Sequence, residues 1–425
     1  MSRRFVVGSV LLAAIAGLGG LIIARQVRPR FSEEQLDASR RDRAIEYFEQ
    51  ALARDPDSPA LKGQLISRLI IRFGRTAQLS DVARAEDLAA SAVTLASDRS
   101  AALARLSGIH LMQHQFGPAF ETAQAALAAD TGSVEARGTL LEAALASGRY
   151  QVADSLASRL DQSSVSSTVR RALWLDTQGH TEQAVTLMSH ACEELERSAA
   201  GIEGTAWCLT QVAVMTHALS GPGEAARRLE RILAAAPGYR GAVEGLANLA
   251  LADGRPTEAL KRFQSILSEA HPDLYLRVAE AYRLLNQPEQ AAVAEAQFLR
   301  IATAPGLEAL FGHPLALFLA ERRDPASLDS ALAIATREVV RRPTSESFDL
   351  LGWVHFRRGE YRAALEASDR AAGWGSPGPT MQYHRARILA ALGRTEEANR
   401  LAAAAAATPT LLAPHARREL DGSGG

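Results

Sequence analysis

The sequence contains very little cysteine and very little lysine. Its two cysteines, Cys192 and Cys208, are too few for a disulfide-dense secreted fold or for a zinc site with four cysteine ligands. Lys62 and Lys261 are the only lysines, so arginine carries nearly all of the positive charge. The formal net charge is −1, which excludes a bulk electrostatic attraction to nucleic acid, and we expect no nucleic-acid partner.

Long runs of β-branched residues are also missing, whereas alanine is abundant, and this balance favours α-helix. A chain of 425 residues is too long for one compact hydrophobic core. We therefore expect either several domains or one elongated array.

The local patterns that catalytic and cofactor sites require are absent from the sequence. It has no G-x-S-x-G elbow, no phosphate-binding loop and no Cys-x-x-Cys-His haem site. His110 and His114 have the spacing of a zinc-binding pair on a helix, but the glutamate of H-E-x-x-H is missing. We predict no catalytic residue, no metal, no cofactor and no small-molecule substrate, and interpret the protein as a non-enzyme.

One long apolar run lies at the N-terminus. The segment from Phe5 to Ala24 has no charged residue, and twenty helical residues span about 30 Å, the thickness of a hydrocarbon core. We predict that residues 1–30 form a single-pass membrane anchor with basic flanks. A cleaved signal peptide is the alternative, because Ala14-Ile15-Ala16 is a small-x-small site.

The charges beside this run bear on the orientation of the body. Arginines flank both ends and are more numerous on the C-terminal side, which by the positive-inside rule would leave the body in the cytoplasm. However, Glu33, Glu34 and Asp37 follow closely, and a short Arg-Arg start is common in exported proteins. We predict an extracytoplasmic (periplasmic) body, with a cytoplasmic body as the alternative.

The rest of the chain repeats one pattern, an alanine followed by apolar or small residues four and seven positions later. These three positions share one helix face, where the small residue lets a neighbouring helix approach closely. The spacing between successive anchor alanines returns repeatedly to 34 residues. The anchors are Ala44, Ala85, Ala119, Ala153, Ala184, Ala225, Ala259, Ala291, Ala331, Ala364 and Ala398.

Turn-forming residues recur at fixed distances from these anchors. Glycine often lies five residues before the anchor, where it suits the left-handed end of the preceding helix. These glycines are Gly148, Gly179, Gly254, Gly359 and Gly393. Proline lies twelve residues after the anchor at Pro56, Pro237 and Pro343, where it ends the second helix. Each unit therefore reads as two helices joined by a tight turn.

This pattern resembles the tetratricopeptide repeat, best at Leu351-Gly352-x2-His355 with Gly359, Tyr361 and Ala364. The resemblance implies an all-α, right-handed superhelical solenoid of about eleven helix pairs over residues 31–408, in which each unit contacts only its neighbours. Longer spacings place insertions near Arg72–Ser80, Ser198–Gly204 and Ala302–Gly312, as extra helical turns or longer loops. Residues 409–425 are predicted to form a short capping helix over the final unit, Leu411–Leu420, and a disordered tail.

In the tetratricopeptide family the first helix of each unit lines a concave groove that binds other proteins. Counting back from the last two anchors, the groove-facing residues are Asp349, Trp353, Phe356, Arg357, Tyr383 and Arg387. Aromatic and arginine side chains together are typical of binding hot spots. The alternative is that Trp353 and Phe356 pack between neighbouring units.

The two cysteines flank the predicted connection between two helices, so an antiparallel pair would bring them to similar heights. A disulfide between Cys192 and Cys208 then forms if the body faces an oxidising compartment. Two buried free thiols are the alternative.

Taken together, these features predict a membrane-tethered scaffold or assembly factor that binds partner proteins in the concave face of the solenoid. A permanent structural subunit of a large membrane or envelope complex is the alternative. The two differ in the stoichiometry and the lifetime of the contact with the partner.

Overall fold

The computed structural model describes residues 38–76, 78–160, 164–198, 202–269, 271–305 and 307–420. Within these residues the chain forms twenty-two α-helices and one 3-10 turn, and it has no β-strand. The predicted anchor, residues 1–30, and the predicted tail, 421–425, lie outside the described residues. Among the helices that the structure describes, none has both the length and the apolar character needed to cross a membrane.

The helices are numbered here in chain order. They are α1 Ala38–Arg54, α2 Pro59–Thr76, α3 Leu79–Leu95, α4 Arg99–Met112, α5 Phe116–Ala129, α6 Val134–Ala146, α7 Tyr150–Ala157, α8 Val165–Thr177, α9 Thr181–Arg197, α10 Ile202–Ser220, α11 Pro222–Ala235, α12 Arg240–Ala252, α13 Pro256–Gln264, α14 Asp273–Leu284, α15 Pro288–Ala302, α16 Glu308–Arg322, α17 Pro325–Arg341, α18 Ser345–Arg357, α19 Tyr361–Ala371, α20 Pro379–Ala391, α21 Thr395–Ala406 and α22 Pro414–Leu420.

The predicted anchor alanines all lie on the odd-numbered helices, one on each from α1 to α21. Ten of them are buried, and Ala44 on α1 is half-buried. The close approach that they permit is seen at Gly352, where an added Cβ would lie 3.1 Å from the carbonyl oxygen of Ala364 on the next helix. Consecutive helices from α2 to α21 therefore pair as hairpins, and the predicted all-helical solenoid is confirmed for the described residues.

The turn between the two helices of a pair has the predicted left-handed backbone conformation. The five glycines that precede the anchors all have a positive φ, between 70° and 86°. His114 and Asn286 occupy the same position in other units, with φ of 59° and 57°. Because α4 ends at Met112, His114 does not share a helix face with His110, and the two imidazoles form no zinc pair on a helix.

The helices beside the first two predicted insertions are long. Helices α2 and α3 have 18 and 17 residues, and α9 and α10 have 17 and 19, whereas α18 has 13. The lengthened pair α9–α10 is joined by a disulfide between Cys192 and Cys208, whose Cα atoms are 5.5 Å apart. Of the two alternatives for these cysteines, the structure contains the bridge.

The solenoid turns back on itself, and its C-terminal units contact units near the middle of the chain. Tyr150 stacks on Trp374 with ring centroids 3.9 Å apart, and its hydroxyl accepts a hydrogen bond from the Ser345 backbone N–H at 2.7 Å. Asp154 accepts indole N–H bonds from Trp174 and Trp374 at 2.9 and 3.0 Å. We call this contact region the seam.

The seam corrects the expectation that each unit contacts only its neighbours. Asp154 and Trp374 are 220 residues apart in the sequence, and Arg341 donates to the carbonyl oxygen of His114 across 227 residues. The Ser376 backbone N–H also donates to the carbonyl oxygen of Thr177 at 2.8 Å. The physical reason is accumulated rotation, because small turns between successive units add up until distant loops meet.

Candidate partner-binding groove

The six predicted groove residues come together on two consecutive first helices, α18 and α20. Asp349, Trp353, Phe356 and Arg357 lie on α18, and Tyr383 and Arg387 lie on α20. Glu321 on α16 and His384 on α20, which were not among the predicted residues, complete the surface. We call these eight side chains the groove cluster.

Trp353 lies at the centre of the groove cluster and is fully buried. Its indole N–H donates to Glu321 at 2.8 Å, and its ring stacks on Phe356 and on His384 with centroids 5.0 and 4.1 Å away. The Arg357 guanidinium lies over the same ring at 4.4 Å. The indole is therefore held by ring contacts and at its nitrogen.

The C-terminal helix α22 covers the groove cluster, and this explains why Trp353 is not exposed. Ala416 of α22 and Leu412 just before it pack with Trp353 and Tyr383 in one apolar cluster. The sequence predicted a capping helix over the final unit, but α22 reaches further, to side chains of α18 and α16. Phe356 stays half-buried at the edge of this contact.

Glu419 of α22 is the main polar contact with the groove cluster. Its carboxylate accepts hydrogen bonds from the Tyr383 hydroxyl at 2.6 Å, from the Arg323 guanidinium at 3.1 Å, and from Arg357 and Arg387. Burial alone would raise the pKa of Glu419, but the bonds from Tyr383 and Arg357 outweigh it and hold that pKa below its usual value. Four donors from three separate parts of the solenoid thus converge on one carboxylate.

A second polar contact runs through two histidines. Asp349 on α18 accepts from His384 Nδ1 at 2.9 Å, and His384 Nε2 lies 2.7 Å from Nε2 of His415 on α22. Which of the two rings donates in this hydrogen bond depends on their tautomers. The groove cluster therefore donates several hydrogen bonds to Glu419 and shares one histidine–histidine hydrogen bond with α22.

The groove continues beyond α22 as an open cleft of about 730 Å³. The first helices α14 and α16 form one wall, with Arg277, Glu280 and Leu317 among the lining residues, and α22 forms another with His415 and Glu419. The cleft carries both signs of charge and leaves room beside α22 for a further segment of chain.

The six predicted residues lie on α18 and α20, but the sequence pattern did not indicate that α22 would cover them. The signal that was available is the spacing of His415 and Glu419, four residues apart and thus on one face of a helix that begins at a proline. That spacing does not specify where the helix docks, because the chain from α21 allows it to turn to either face of the last unit.

Residues 222–273, which are α11 to α13 and the first residue of α14, match the family model described as tetratricopeptide repeat. Among solved structures, the chain is similar to the human IFIT1 dimer with PPP-AAAA. The identity is 15%, 77% of this chain and 76% of that chain are covered, and the TM-score is 0.48.

Two other solved structures have lower TM-scores. Yeast Tom70 is 14% identical, with coverage of 91% and 86% and a TM-score of 0.37. A tetratricopeptide repeat protein from Parabacteroides merdae is 15% identical, with coverage of 76% and 98% and a TM-score of 0.29. No curated protein sequence matches the chain significantly. The family-model match supports the tetratricopeptide repeat family.

Proposed function

We propose that the protein is a membrane-tethered scaffold that binds a segment of a partner protein in the groove formed by α16, α18 and α20. The observation that carries the proposal is that this groove already holds a helix, α22, through aromatic, arginine and carboxylate contacts. Such side chains are enriched at protein-binding hot spots. The protein has no catalytic role in this proposal.

The disulfide supports an extracytoplasmic body. Disulfides persist in oxidising compartments such as the periplasm and are rare in the cytoplasm. The Cys192–Cys208 bridge therefore favours the exported orientation, with residues 1–30 as the anchor. A phosphatase reporter fused after residue 425 should be active, whereas an inactive phosphatase together with a fluorescent cytoplasmic reporter would reverse the orientation.

The groove is tested by partner capture from native membranes in mild detergent, with quantitative mass spectrometry. Phe356→Ala with Arg387→Ala changes the rim of the groove, since Phe356 is half-buried and the Arg387 side chain is 42% exposed. Val293→Ala on the second helix α15 is the matched control, because Val293 is exposed and lies outside the groove. We expect the double variant to lose partners that the control retains. Equal capture by both variants would contradict the groove assignment.

The same experiment separates the scaffold from the permanent subunit. A fixed molar ratio to one complex indicates a subunit, and variable substoichiometric partners indicate an assembly factor. Removing residues 1–24 should release the protein from membranes. If it still sediments with them, contacts outside this segment must hold it there.

A further inference from the structure

We propose that the groove cluster recognises an α-helical segment of its partner that carries an acidic side chain, and that α22 occupies this place within the chain. The inference rests on the proposed function and adds the chemistry of the ligand. It follows from the way in which α22 is held, from its length and from the open cleft beside it.

The contacts of α22 come from one helical face. Glu419 is four residues from His415 and three from Ala416, so on a helix it lies beside both side chains, and all three meet the groove together. An extended chain would place Ala416 on the side opposite to His415 and Glu419, because its side chains alternate. The groove is therefore shaped for a helix.

The arginine side chains around Glu419 favour a helix that carries an acidic side chain at this place. Arg323, Arg357, Arg387 and the Tyr383 hydroxyl all donate to Glu419, and Arg357 is also bonded to Glu321. Without a carboxylate at this place, several cationic donors in a half-buried site would lose their shared acceptor. A neutral helix would therefore bind much more weakly than an acidic one.

Because α22 is short, a longer partner helix can replace it in the groove. It has seven residues, and helices this short are marginal on their own, so its docking depends on these few contacts. A longer partner helix could make the same contacts and also fill the adjoining cleft of about 730 Å³, which α22 leaves open. Such a helix would bury more surface than α22 and displace it.

The experiment measures binding of fluorescent peptides to the full-length protein in detergent by anisotropy. The first probe is a stapled helix of roughly twenty residues, long enough to be helical, that contains the 412–420 sequence with both ends blocked. The second probe has glutamine in place of its glutamate. The third is an extended acidic peptide with a free C-terminal carboxylate.

Two variants of the protein free the groove without changing it. Glu419→Gln removes the internal carboxylate, and Ala416→Asp places a charge where a buried methyl group packs among apolar side chains. We expect both variants to bind the first probe at least about tenfold more tightly than the wild type does. We also expect both variants to bind the first probe more tightly than the second probe by a similar factor. Adding Arg387→Gln to either variant should reduce this binding, and circular dichroism checks that all variants are folded.

Equal binding of the first two probes would overturn the acidic requirement, and tighter binding of the extended peptide would overturn the helical one. Failure of all probes with both folded variants would reject the inference outright. If the peptides fail while Phe356→Ala with Arg387→Ala still loses its partner, the proposed function stands and only the ligand chemistry is wrong. If partner capture is unaffected by that double variant, the proposed function itself fails.

Discussion

At the scale of single residues, Trp353 shows how a binding signature and a core signature coincide. An aromatic ring beside an arginine on the inner face of a first helix is typical of a binding hot spot. In the structure the same ring is fully buried, because α22 covers it and Glu321 accepts its N–H. Trp353 therefore contributes to stability as well as to the chemistry of the groove.

We expect Trp353→Ala to lower the free energy of unfolding by about 3–5 kcal/mol, because it removes a buried indole and leaves a cavity. Tyr361→Ala on α19 is the matched control. Tyr361 is 39% exposed, so its replacement should lower the free energy of unfolding much less. Thermal and denaturant unfolding of the two variants measure the difference. Equal stability of both variants would mean that Trp353 is not part of the core in solution.

At the scale of elements, α22 is held by a histidine that must stay neutral. Burial lowers the pKa of His415 well below its ordinary value, and the neighbouring His384 and Arg357 lower it further, as does Arg418 on α22 itself. Protonation of His415 is therefore easier when α22 has left the groove.

The sign of the pH dependence follows from this difference. Docking of α22 is fully favoured above the undocked histidine pKa of about 6.5 and weakens as the pH falls below it. We expect a loss of about tenfold in the docking equilibrium between pH 7.5 and pH 5.5. Glu419 adds nothing in this window, because its lowered pKa affects docking only at more acidic pH.

Hydrogen exchange of the α22 amides measures this docking. The His415→Asn variant is the control, since it cannot be protonated in this range and should show a flat profile between the two pH values. A wild-type profile that is equally flat would show that His415 does not govern the docking of α22.

The disulfide acts on one helix pair, α9–α10. It closes a loop of 16 residues, and a loop of this length is expected to stabilise the folded state by about 3 kcal/mol. Reduction should therefore lower the melting temperature of the wild type but leave that of the Cys192→Ala, Cys208→Ala double variant unchanged. Identical melting curves with and without reductant would show that the bridge does not form in solution or does not stabilise the fold.

At the scale of the whole molecule, the seam decides whether the solenoid is open or closed. Gly148 lies at a turn with φ of 71°, and an added Cβ there would lie 2.4 Å from the carbonyl oxygen of Pro343 across the seam. Gly254 has nearly the same φ, 70°, and nothing lies within 4 Å of an added Cβ. Substituting each glycine by alanine therefore separates the effect of the left-handed backbone conformation, which both share, from the effect on the seam, which only Gly148 touches.

We expect Gly148→Ala and Gly254→Ala each to lower the free energy of unfolding by about 1 kcal/mol, because alanine is disfavoured in the left-handed backbone conformation. Only Gly148→Ala should also open the seam, which small-angle scattering would detect as a larger radius of gyration. The same radius for both variants and the wild type would show that the seam tolerates the methyl group or does not form in solution.

Much of the fold could be predicted because it depends on local chemistry. The anchor alanines, the glycines with positive φ and the prolines between units act within one helix pair, so their spacing in the sequence is enough to place the helices. The assignment of the six predicted residues to α18 and α20 follows from the same register. These features do not depend on what lies elsewhere in the chain.

The seam and the occupant of the groove depend on contacts between distant parts of the chain, and the sequence contains no periodic signal for them. Asp154 meets Trp374 only after small rotations between many units have accumulated, and Glu419 meets Arg357 only once α22 has turned inward. The sequence by itself determined the repeating helix pair. The tertiary structure alone decided that the solenoid closes at the seam and that its groove is filled by its own C-terminal helix, because both result from the summed geometry of all the units.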